Sequence, residues 1–142
     1  LDLQGLDSVN MTTVDEQLKN EHRIDMVKVD VEGAEEIVLV GAAGVIDKFR
    51  PVLYVECGGE ALYEKIGPLL IGMRYDIYWH AASHFSDNNF FKMPNITGNF
   101  GDMNILCVPI ESPLPRVGFD EFSLARCGDW KDLTRLFPGF QF

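Results

Sequence analysis

The sequence has no G-x-G-x-x-G turn after a strand pattern and no phosphate-binding P-loop, so it carries no recognisable glycine-rich phosphate cradle. No apolar run approaches the ~20 residues of a membrane span, which argues against a membrane partner. Basic residues are few: 12 Lys and Arg stand against 22 Asp and Glu, a net charge of −10. That balance argues against a phosphate-backbone partner, because nucleic-acid binding needs a basic face. Cysteine is sparse as well. Cys57, Cys107 and Cys127 are widely spaced, odd in number and form no C-x-x-C pair, which excludes a disulfide scaffold and leaves reduced core thiols. There is no internal repeat and no low-complexity tract.

What is present is a balanced globular composition, 46% hydrophobic and 24% charged over 142 residues, enough for one domain with a real core. Thr13 with Glu16 forms a capping box, so a short helix should start near Val14. "RIDMVKVDV" reads as a strand over 24–31, with Val27, Val29 and Val31 on one face and Ile24, Met26, Lys28 and Asp30 on the other. A helix is expected over 34–49, its apolar stripe made by Ile37, Val38, Val40, Ala42, Val45, Ile46 and Phe49. Pro51 stops it. "RPVLYVEC" is a second strand, followed by a helix over 60–73 interrupted at Gly67-Pro68. "YDIYWHA" and "DMNILCVPI" read as two more strands, joined without a helix and so open to antiparallel pairing. This alternation predicts an α/β layer architecture with a mostly parallel sheet and an antiparallel last strand. Residues 1–110 would form that body, including a loop at 82–101. Residues 111–142 would be an extension packing short helices back on it.

Both clear strands end in acids followed by glycine. "VKVDVEGAEE" carries Asp30 and Glu32 ahead of Gly33, and "LYVECGG" carries Glu56 ahead of Gly58 and Gly59. In open α/β sheets ligands bind beyond the carboxyl ends of the strands. If the two strands are neighbours, their acids face one crevice, with His80 at the end of the third strand. Such a cluster can move a proton, hold a cation or bind hydroxyl groups. The alternative is ordinary strand-end acids, solvated or bonded to helix amides. His80 and His84 have the spacing of helical zinc ligands but lie where a strand runs into a loop, so no metal site is expected from them. In the loop, Phe85, Phe90, Phe91 and Phe100 alternate with Asn88, Asn89, Asn95 and Asn99. They either line an amphipathic pocket or cover one end of the sheet.

"IDMVKVDVEGAEEIVLVGA" followed by "RPVLYVEC" resembles the FkbM family of S-adenosylmethionine-dependent methyltransferases, and "TTVDEQL", "NNFF" and "MNILCVP" extend the resemblance over residues 9–110. It implies a partial class I, Rossmann-like methyltransferase sheet, of which this chain would be a fragment. It would supply the later strands and lack the glycine-rich turn for the cofactor's methionine and ribose parts. The strand at 24–31 would then be an edge, inviting self-association. The implied cofactor is S-adenosylmethionine and the implied acceptor a hydroxyl on a small metabolite, sugar or lipid. Residues carried onto this reading are Asp30, Glu56 and His80 for catalysis, Asp30 and Glu32 at the cofactor, and Glu56, Trp79, His80 and Asn89 at the acceptor. A cytoplasmic location is expected. Two other readings compete: a non-enzymatic fragment that self-associates through its edge, and a metal-dependent hydrolase built on Asp30, Glu32, Glu56 and His80.

Overall fold

A computed structural model describes residues 10–96, 98, 100–114, 124–138 and 140. In chain order the elements are α1 (Val14–Leu18), β1 (Met26–Val29), α2 (Glu35–Val40), α3 (Ala43–Phe49), β2 (Val52–Glu56), α4 (Glu60–Gly72), β3 (Tyr75–Ser83), β4 (Gly101–Pro109) and β5 (Leu124–Arg126). A 3-10 turn (Trp130–Asp132) and α5 (Leu133–Leu136) follow.

The strands form one open sheet in the order β1-β2-β4-β3-β5. β1 and β2 pair in parallel, while β2–β4, β3–β4 and β3–β5 are all antiparallel. The expectation of a mostly parallel sheet therefore fails for the pairings. β1, β2 and β3 do point the same way, but the returning strand β4 inserts between β2 and β3 instead of adding at the edge. The connection between β3 and β4 has no helix, so the two pair as a long hairpin and β4 can fill that slot. Residues 111–142, expected as an extension, also contribute β5 to the sheet besides the two short helical turns.

Alternation along the strands puts one face of the sheet in the core. Val29, Leu53, Val55, Cys57, Ile77, Trp79, Met103, Ile105 and Cys107 lie there, packed against Leu39, Ile46, Ile66, Leu70 and Leu133. All these helical residues go to the same face, and burial of that apolar surface is the main favourable term in the fold. Cys57 and Cys107 are buried free thiols, as the apolar runs around them implied, and burial pushes the Cys57 thiol up to about 12.

Two helix expectations need correction. The segment 34–49 is two helices, because Gly41 and Ala42 interrupt it. The break turns Ile37 and Val40 to solvent and leaves Leu39, Ala42, Val45 and Ile46 inside. Gly41 and Gly44 permit close approach to α1 rather than to the sheet: a Cβ on Gly44 would lie 3.0 Å from Asp15 Oδ2. That approach is used, since the Asp15 carboxylate accepts from the Gly44 and Val45 amides at 2.9 and 2.7 Å and caps α3. By contrast α4 runs unbroken through Gly67 and Pro68. Gly67 lies against the Tyr63 ring, where a Cβ would come within 2.8 Å, so the residue is set by packing and is not a stop.

β1 is shorter than the sequence pattern and lies at an edge among the described residues. The 84–100 connection exposes Phe90, Phe91 and Phe100, with Phe90 and Phe91 edge to face at 5.1 Å. These three rings are exposed rather than enclosed, and Phe85, the fourth, is half-buried. Asn99 lies outside the described residues.

Candidate active site

The parallel register pairs Val29 with Val55, so one residue on, Asp30 and Glu56 come abreast at the carboxyl ends of β1 and β2. Glu32 joins them from the exit turn. One carboxylate oxygen from each of the three lies within 4.8 Å of the others. The turn reaches this arrangement through two consecutive left-handed residues, Glu32 at φ 51° and Gly33 at φ 97°. Glycine accepts that conformation without steric cost; a glutamate there must be held by its surroundings.

Glu35 does much of the holding. Glu35, in the first turn of α2, is only 1% exposed. Its Oε1 accepts from the Gly33 amide at 3.0 Å and the Val31 amide at 3.3 Å, folding the turn over the start of α2. The signal was available in "EGAE": an acid two residues after a glycine in a turn can reach back to that glycine's amide.

Charge around the cluster is uneven. Lys28, two residues before Asp30 on the same strand face, donates to Asp30 Oδ2 at 2.5 Å. That bond holds the Asp30 carboxyl below the usual carboxylate range. Glu56 moves the other way: burial, then the neighbouring Asp30, Glu32 and Asp102 charges, push it up. Two adjacent carboxylates with opposed shifts are a standard setting for acid–base chemistry. A cleft of about 350 Å³ adjoins Glu32 and Glu56, lined also by Gly33, Glu35, Gly58 and Gly59 among others.

His80 lies in the same row but not in the cluster. Glu56 pairs with Asn104, and Asn104 with His80, so His80 is two strands, about 10 Å, from Glu56. The Tyr54 hydroxyl lies 2.6 Å from His80 Nδ1. His84 instead meets Asp102 at 3.0 Å, so the two histidines take separate partners. Asn104, 6% exposed between Glu56 and His80, and Tyr54 escaped the sequence reading; their positions follow only from the strand register.

Two expected acceptor residues are placed elsewhere. Trp79 points to the core face, fully buried between Tyr63 and Trp130, because its neighbours in the strand alternate inward with it. Asn89 closes its own loop: its amide donates to the Ser86 and Met93 carbonyls and accepts from the Met93 amide.

In open α/β sheets ligands bind beyond the carboxyl ends of the strands, and the carboxylate cluster lies at that end of β1 and β2. The family model described as the methyltransferase FkbM domain matches residues 5–87. The chain belongs to the FkbM methyltransferase family. No curated protein and no solved structure matches it. Among the described residues, no helix is long and apolar enough to cross a membrane.

Proposed function

We propose that the chain acts in S-adenosylmethionine-dependent methyl transfer to a hydroxyl of a small metabolite, sugar or lipid, on a class I, Rossmann-like sheet. The observation that carries this reading is the family match over residues 5–87, a span that contains Asp30, just beyond β1 and abreast of Glu56. Methyl transfer from a sulfonium to oxygen is an in-line displacement, so alignment supplies much of the rate. The acceptor hydroxyl also loses a proton, and a carboxylate within reach can take it. Glu56, held above the usual carboxylate range, suits exchange of a proton, while Asp30 keeps a negative charge near the positive sulfonium. Glu32 is placed toward the donor and His80, two strands away, toward the far end of the acceptor. Trp79 is left out because it is in the core, and Asn89 because its amide is engaged in the loop.

The edge strand β1 supports a second element of the proposal, self-association through its free side. Calorimetric titration of the folded chain with S-adenosylmethionine and S-adenosylhomocysteine tests the donor. Saturable heat with both supports the reading, and its absence in a demonstrably folded chain overturns donor binding by these residues.

A further inference from the structure

We propose that the tip of the loop between β3 and β4, built around Phe90 and Phe91, docks the chain on a lipid bilayer whose headgroups carry no net charge. The inference goes beyond methyl transfer, and its test does not run through it. It also departs from the expectation of no membrane partner, which rested on the absence of a span; lying in the interface requires none.

The first support is exposure. Phe90, Phe91, Met93, Ile96 and Phe100 share one loop, and each is between 51% and 91% exposed. Single exposed apolar side chains are ordinary, whereas a group of large ones marks a surface that meets another phase or molecule. Charge gives the second support. The chain carries a net charge of −10, yet from Asn88 to Gly101 it has no acid and one base, Lys92. The tip can therefore approach phosphate-bearing headgroups without repulsion. The acidic body would be repelled by anionic lipid within about a Debye length, roughly 8–10 Å, so a bilayer of no net charge is the better match.

The choice of a bilayer over a protein partner rests on how the tip meets its own polar groups. The Asn89 side chain donates to the Ser86 and Met93 carbonyls at 3.1 and 3.0 Å and accepts from the Met93 amide at 2.9 Å. The Asn89 and Lys92 amides donate to the Ser86 and Asn89 carbonyls. Lys92 Nζ donates to Asn88 Oδ1 at 2.8 Å, and the Asn95 side chain donates to the Gly98 carbonyl at 2.9 Å. Polar groups entering an apolar phase must be satisfied from within, whereas a protein groove brings donors and acceptors of its own. The same bonds shape the tip before contact, so little order is lost on docking. Position adds a consequence. β3 runs parallel to β1 and β2, so the loop leaves it at the end of the sheet where Asp30 and Glu56 lie. Docking then turns that crevice toward the headgroup layer, which, resting on the methyltransferase reading, selects a lipid hydroxyl among the proposed acceptors.

The experiment is co-sedimentation of the full chain with phosphatidylcholine vesicles in the absence of any methyl donor. Half of the chain should pellet at roughly 0.1–1 mM lipid, the scale set by a single myristoyl anchor. A variant carrying Phe90→Ser and Phe91→Ser, checked for an unchanged circular dichroism spectrum, should bind at least about tenfold more weakly, as loss of two buried aromatic rings requires. Ile71→Ser, which removes a similarly exposed apolar side chain from α4, should leave binding unchanged. The proposal is overturned if no chain pellets up to about 10 mM lipid, tenfold above that range. It is equally overturned by binding that persists in the double variant. Self-association without lipid that the double variant abolishes would make the tip an interface between copies and overturn it too. Absence of donor binding in a separate S-adenosylmethionine titration would count against the methyltransferase reading alone.

Discussion

The hydroxyl of Tyr54 and Nδ1 of His80, on two strands separated by β4, lie 2.6 Å apart. Burial drives the His80 pKa below 6.5. The folded chain thus binds a proton at His80 less readily than the unfolded chain does. His80 therefore contributes stability above pH 6.5 that is lost as pH falls through the lower folded value. Urea melts of the natural chain and of His80→Asn above and below that pH should show a larger acid-induced loss in the natural chain. Equal losses would remove His80 as the titrating group.

At the carboxylate cluster, Asp30→Asn keeps size and side-chain hydrogen bonding but removes the charge. In an active preparation, methyl transfer should fall roughly a hundredfold or more, the scale for loss of one positioned electrostatic contact. Circular dichroism should be nearly unchanged, because Asp30 lies at a strand end outside the core. Near-normal turnover would sink its assignment to the reaction.

Glu35→Ala removes the bonds to the Val31 and Gly33 amides. The expected destabilisation is roughly 1–2 kcal/mol, the scale of lost charge-assisted hydrogen bonds that water can partly replace. Urea denaturation measures it. A loss under a few tenths of that range would mean the turn holds itself.

Asp15→Ala deletes the cap on α3, whose own N-cap residue, Ala42, has no side chain able to accept. Stability should drop by about 1 kcal/mol. Asp15→Asn should recover part of it, whereas equal losses in both variants would point to charge rather than capping.

Much of the local structure was legible in the sequence. The N-cap at Thr13 is formed, with the Glu16 amide donating to the Thr13 hydroxyl, while the Glu16 carboxylate accepts from Lys19 instead of closing the box. All four strands of the pattern are present, and the repeated acid-then-glycine ending marks the residues that form the cluster. The failures share one cause, that side-chain spacing within a segment does not say what faces it. Gly67-Pro68 looked like a stop because the Tyr63 ring against Gly67 cannot be inferred from neighbours in the chain. Trp79 looked available because it precedes His80, yet in a strand adjacent residues face opposite ways, and only the register decides which face is core. The order β1-β2-β4-β3-β5 depends on long-range pairing that no local pattern encodes.

That order constrains how the chain can reach its folded state. β2 finds its second neighbour only when Leu53 meets Cys107 and Val55 meets Ile105, across most of the intervening sequence. The β3–β4 hairpin can form first, from residues 75–109 alone, and must then dock as a unit against a preformed β1–β2 pair. Joining the two halves carries a long loop-closure cost before any burial compensates it, which slows folding. Pulsed hydrogen exchange during refolding should protect the amides bonded between β3 and β4 before those bonded between β2 and β4; simultaneous protection would mean the sheet assembles in one step. During synthesis on the ribosome the first two strands must wait, with one flank of β2 open, until residue 109 has emerged.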